Sequence, residues 1–95
     1  MAAYVIVDNE ISDQTVFDEY VRNIPAVTET YGGKYLVRGG AAEVMEGDRT
    51  PHRVVVIEFE NLEAARGFVN DPEYARLAEI RRRSSATTTI IVEGV

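Results

Sequence analysis

The chain has 95 residues and a net charge of −6, from 16 acidic against 10 basic side chains. That length suits one domain spanning residues 1–95, and the acidic balance argues against a nucleic-acid partner, which needs a basic footprint. There is no cysteine, which removes disulfides and thiolate chemistry.

Residues 3–8, Ala-Tyr-Val-Ile-Val-Asp, read as a strand. No basic region precedes it, so a secretory signal is not expected. No apolar run approaches the ~20 residues that cross a bilayer. The expectation is a cytoplasmic protein with no membrane partner. Ser12 or Asp13 can cap a following helix. Its apolar positions, Phe17, Tyr20, Val21, Ile24, Val27 and Tyr31, recur every three or four residues and form one stripe. Pro25 interrupts that stripe, and a kink or break is expected near residues 21–25.

Gly32-Gly33 ends the helix, since glycine enters left-handed backbone at little cost. Lys34–Arg38 is a second strand. Gly39-Gly40 then fall where a strand would continue, which suggests a bulge or a close approach to the backbone. The strand is expected to resume over residues 41–46. Glu46-Gly47-Asp48 and Thr50-Pro51 supply turn chemistry. Arg53–Phe59 is a β-branched strand. Asn61 caps a short helix with Leu62, Ala65, Phe68 and Val69 inward. Asp71-Pro72 restarts a helix that buries Tyr74, Leu77 and Ala78. Arg81-Arg82-Arg83 end it as charges complementing the helix dipole. Residues 87–93 are the last strand.

Strand, helix, strand, strand, broken helix, strand is the ferredoxin-like α+β arrangement: a four-stranded antiparallel sheet with helices on one face. An open α/β sandwich with another strand order is the alternative. Val5–Val7, Val54–Ile57 and Ile90–Val92 are unbroken apolar runs, not the alternation of a sheet with one wet face. Helices cover only one face, so a second copy of the sheet is expected on the other, making a homodimer.

Several stretches together resemble the domain-of-unknown-function family numbered 1330. They are Tyr31-Gly-Gly-Lys-Tyr-Leu-Val-Arg-Gly-Gly40, Glu46-Gly47-Asp48, Val55-Val56-Ile57-Glu58-Phe59, Leu62-Glu63-Ala64-Ala65-Arg66, Asp71-Pro72-Glu73-Tyr74 and Val92-Glu93-Gly94-Val95. The resemblance implies a dimeric α/β barrel with a ferredoxin-like protomer. The wider superfamily includes cofactor-independent monooxygenases, haem-degrading enzymes, lactone isomerases and stress-induced proteins. It implies a pocket between sheet and helices, and no catalytic residues carry over.

Among candidate site residues, Glu58 interrupts an apolar strand and needs a partner. Arg38, on the neighbouring strand, is the expected one, either as a structural pair or as an anion-binding arginine held by the glutamate. His52 is the only histidine and follows Pro51 in a loop. Alone it makes no multi-histidine metal site. Tyr20 and Tyr74 lie on the inner helix stripes, as core or as pocket lining. Gly39 and Gly40 are candidates for close ligand approach. Asp8 and Glu93 sit at strand ends and form no dyad. No motif calls for a cofactor. The readings left are a cofactor-independent protein acting on a small anionic or aromatic metabolite, a non-catalytic binding or stress-related module, and a haem-binding barrel. Convergent polar groups with an opening favour the first, and a filled interior the second.

Overall fold

The computed structural model describes residues 1–95. Its elements are β1 (Ala3–Ile11), α1 (Gln14–Thr30), β2 (Lys34–Arg38), β3 (Arg53–Phe59), α2 (Leu62–Val69), α3 (Pro72–Ser84) and β4 (Ser85–Glu93). The strands form one sheet in the order β2-β3-β1-β4, with every neighbouring pair antiparallel. This is the ferredoxin-like arrangement, and the order excludes the alternative sandwich.

Local chemistry starts and stops each helix. Asp13, rather than Ser12, caps α1 by accepting from the Val16 N–H at 3.1 Å. Asn61 caps α2 through the Ala64 N–H, and Asp71 caps α3 through Glu73 and Tyr74, with Pro72 in the first turn. After α1, Gly32 takes φ +73°. Gly33 is needed for space: a Cβ there would lie 2.6 Å from Thr28 Cγ2 and 2.8 Å from the Phe59 ring. That contact seats the end of α1 on β3.

Alternation of burial orients the sheet. Ala3, Val5, Val7 and Asn9 of β1 and Val55, Ile57 and Phe59 of β3 point under the helices and are buried. Phe17, Phe59, Phe68 and Leu77 are fully enclosed in the core, and burial of such a side chain stabilises by about 1.5–3 kcal/mol. The other sheet face carries Ile6, Val54, Val56, Ile90 and Val92 with no element of this chain packed across it except part of the loop before β3.

Four expectations are corrected. Pro25 does not break α1, which runs unbroken over Gln14–Thr30. The strand does not resume after Gly40: residues 40–52 form no strand and are largely exposed. The bulge lies at Leu36, between the Tyr35↔Ile57 and Val37↔Val56 pairs, and not at the glycines. Only Gly39 has positive φ, +75°, with its N–H donated to the Val54 carbonyl at 2.8 Å; Gly40 stands in open space.

Candidate functional site

A cleft lies under α1, floored by Val7 and Asn9 of β1, Val55 and Ile57 of β3, and Tyr35 of β2. Tyr20 and Ile24 form its roof, and Phe68 and Tyr74 close one side. Arg38 and Arg53 stand at its open side. The cleft is narrow. Its enclosed free volume is about 20 Å³, room for about one water. Counting the open mouth, the space is about 400 Å³. Convergent polar groups with an opening are present, but the interior is nearly filled by side chains.

Arg38 owes its position to Pro25. A proline has no N–H, so the Val21 carbonyl four residues earlier in α1 loses its helical donor. Arg38 Nη2 donates to that carbonyl at 3.2 Å. The guanidinium also lies 4.8 Å from the centre of the Tyr35 ring. Tyr35 is in turn fixed by a 2.9 Å hydrogen bond between its hydroxyl and Thr28 Oγ1. The bulge at Leu36 shifts the phase of β2, so that Tyr35 and Arg38, three apart, both reach the cleft.

Arg53 begins β3, in phase with Val55, Ile57 and Phe59. Its guanidinium lies 5.5 Å from the Phe17 ring centre. Burial, then the charge of Arg38, lowers its pKa. The two cations disfavour each other, and none of the chain's ion pairs includes either. No carboxylate lines the cleft.

The remaining polar groups are donors as well. Asn9 is buried, and its Oδ1 accepts from Thr87 Oγ1 at 2.8 Å, which leaves its NH₂ without an acceptor in the chain. The Tyr74 oxygen accepts from Arg81 Nη1 at 3.0 Å, and its own proton is donated to no group of the chain. Tyr20 donates to no group of the chain. Burial, then Tyr74, raises the Tyr20 pKa, and the Arg81 charge pulls back against them.

The expected Arg38–Glu58 pair is not formed. Arg38 lies opposite Val55, and Glu58 opposite Lys34, at the other end of the hairpin. Glu58 is on the other sheet face, where Tyr4 donates to it at 3.4 Å. The register separates the two along the strands, and the bulge at Leu36 turns Arg38 to the helix-covered face. His52 also lies away from the cleft. Its N–H donates to Asp8 Oδ1 at 2.9 Å, and its ring sits 3.9 Å from Asp8 and 3.7 Å from Glu10. They line an open groove of about 630 Å³ on the uncovered sheet face. Asp8 lies opposite Thr88 and Glu93 opposite Ala3, so these two acids are far apart.

Of the candidates, the fold brings together Arg38, Tyr20 and Tyr74. Gly39 is beside them through Arg53, whose side chain a Cβ on Gly39 would meet at 3.3 Å. Asn9, Arg53 and Arg81 are not among the residues that the sequence points to as a site. The signal for Asn9 and Arg53 is strand phase: each continues the buried series of its own strand. The signal for Arg81 is spacing, since it stands four and three residues after Leu77 and Ala78.

The family model for a domain of unknown function, DUF1330, matches residues 2–95. The chain belongs to the DUF1330 family. Among curated proteins, none matches it. Solved structures share the fold at low identity. A protein of unknown function from Rhodopseudomonas palustris is 17% identical with a TM-score of 0.77, over 99% of this chain and 82% of that one. A dimeric ferredoxin-like protein of unknown function from Bacteroides fragilis is 15% identical with a TM-score of 0.65, over 98% and 96%. SnoaB, a cofactor-independent oxygenase from Streptomyces nogalater, is 12% identical with a TM-score of 0.65, over 99% and 91%. These likenesses establish the DUF1330 chain's fold, and the family description leaves its activity open. No helix is long and apolar enough to cross a membrane.

Proposed function

We propose that this DUF1330 protein binds a small planar anion with an apolar body in the cleft beneath α1. The observation that carries this is the donor census. Arg38, Arg53, Asn9, Tyr20 and Tyr74 all offer hydrogens, and no carboxylate answers them. In a chain of net charge −6, such a site selects a group that only accepts, namely a carboxylate or another oxyanion. The apolar floor of Val7, Val55 and Ile57 suits a flat hydrocarbon body. Entry requires Arg38 and Arg53 to swing outward, because the enclosed space holds only about one water.

Calorimetric titration with benzoate and with neutral benzamide tests this. The acid should bind about tenfold more tightly, and Arg38→Gln should remove that preference. Equal affinity for both, or a preference unchanged in Arg38→Gln, overturns the reading.

Oxygen chemistry on the bound ligand is a second reading. It is favoured by the shared fold with SnoaB, a cofactor-independent oxygenase, and by phenols facing the cleft. Oxygen uptake with a bound hydroxy-aromatic acid measures it, and no uptake leaves a binding module. Haem binding finds little support, since His52 faces the other side of the sheet. We also propose that the uncovered sheet face packs on a second copy, as a homodimer. The support is its apolar side chains and the dimeric assembly of the Bacteroides fragilis neighbour.

A further inference from the structure

The three arginines that end α3 have different fates. Arg82 is exposed and pairs with Glu79, and Arg83 is exposed. Arg81 is only 7% exposed. A guanidinium removed from water needs an anion or a full set of hydrogen bonds. Arg81 has neither. It enters no ion pair, its Nη1 donates to the Tyr74 hydroxyl, and its buried Nε has no partner. The Tyr20 and Tyr74 rings flank it. Its Cζ lies 5.8 Å from the Tyr20 ring centre and 5.7 Å from that of Tyr74.

Both of those tyrosines line the cleft. Each has an O–H with no acceptor in the chain, and a single cation stands behind the pair. Meanwhile Arg38 is on the edge strand β2, whereas Tyr74 comes from α3, which packs on α1 and β4 at the other side. Cations on one side and phenol hydroxyls on the other suit a ligand with an apolar body and an oxygen group at each end.

We propose that Tyr20, Tyr74 and Arg81 form an oxyanion-holding end of the cleft, whose ligand is a hydroxy-aromatic acid. Its carboxylate lies at Arg38 and Arg53, and its phenol oxygen lies as phenolate between the hydroxyls of Tyr20 and Tyr74. This rests on the anion-binding reading above and names the ligand class. On binding, the ligand's phenol O–H breaks and its proton goes to solvent. Tyr20 and Tyr74 keep their protons and donate them as hydrogen bonds. Burial favours that state at Tyr20 by disfavouring its ionised form. Arg81 touches no ligand. It is a positioning residue that turns the Tyr74 oxygen and supplies the positive field.

The probe is 4-hydroxy-3-nitrobenzoate, whose phenolate is yellow. At a pH near its own phenol pKa, adding the protein should move the bound probe about tenfold toward phenolate. Tyr20→Phe and Tyr74→Phe keep the rings and should each reduce that colour change, and Arg81→Leu should abolish it. 3-Nitrobenzoate, which has no phenol, should bind the wild type and Tyr74→Phe equally. Should Arg81→Leu fail to fold, the two phenylalanine variants decide. A probe that binds with its free-solution colour, or a full shift retained in both phenylalanine variants, overturns the proposal while leaving anion binding intact. If neither acid binds, the reading of the cleft fails and this proposal fails with it.

Discussion

Pro25 and Arg38 are one device. Proline in a helix interior costs about 3 kcal/mol relative to alanine, yet α1 runs unbroken through it. The carbonyl that it orphans, on Val21, is the acceptor that holds Arg38 over the cleft. Pro25→Ala restores an N–H to Val21 and should raise stability by about 1–3 kcal/mol. The same change frees Arg38, and affinity for an aryl carboxylate should fall several-fold. Thermal unfolding and calorimetry on one variant read both effects. Raised stability with unchanged affinity would show that the Tyr35 ring, 4.8 Å away, is enough to hold Arg38. Pro25 was legible in the sequence as a disturbance of α1. What it does was not, because its consequence falls on a residue 13 positions later in the chain (38 − 25). Gly39 and Gly40 teach the same limit. They are indistinguishable as letters, but only Gly39 takes positive φ, since only its N–H is drawn to Val54.

Among the elements, the junction of α1 and α3 has a polar tie. Tyr31, at the end of α1, donates to Asp71 Oδ2 at 2.6 Å, while Asp71 Oδ1 caps α3. The Tyr31 hydrogen bond, then the capped N–H groups working against some burial, leaves the Asp71 pKa lowered. The same bond raises the Tyr31 pKa. An acid with a depressed folded pKa stabilises above its unfolded value, near 3.8, and that stability is lost as pH falls through the folded value. A phenol with a raised pKa stabilises below its unfolded value, near 10.0, and that is lost as pH rises through the folded value. Tyr31→Phe should therefore lower the melting temperature at neutral pH and narrow its difference from wild type at both extremes. A constant difference from acid to alkaline pH would contradict this. The elements themselves were legible, since caps, stripes and β-branched runs are local signals. The bulge at Leu36 was not, because Tyr35, Leu36 and Val37 all fit a regular strand. The bulge turns Arg38 to the face beneath α1, while the register, which no local signal reveals, sets it opposite Val55, three residues before Glu58.

For the whole molecule, the open question is what covers the second face of the sheet. Leu36, Val37, Ile90 and Val92 are 40–49% exposed, and Ile6, Val54 and Val56 lie between them, half-buried. A contiguous apolar surface of this kind is unusual on a protein that stays alone in water. A two-fold axis through the sheet would bury the same residues on both copies, so one surface serves as both halves of the interface. Each copy carries a net charge of −6, so the copies repel at long range and added salt should tighten their association. The expected outcome is a dimer by sedimentation equilibrium at low micromolar concentration, tighter at high salt. Ile90→Asp should place a carboxylate in the apolar contact and give a folded monomer, because Ile90 contributes nothing to the core under the helices. A wild-type monomer would mean that the face stays wet. A dimer unaffected by Ile90→Asp would mean that the copies meet elsewhere. The cleft distinguishes these outcomes further, since it opens on the opposite side of the sheet. Ligand binding by the Ile90→Asp monomer should equal that of the dimer, and a loss there would place part of the binding site on the second copy.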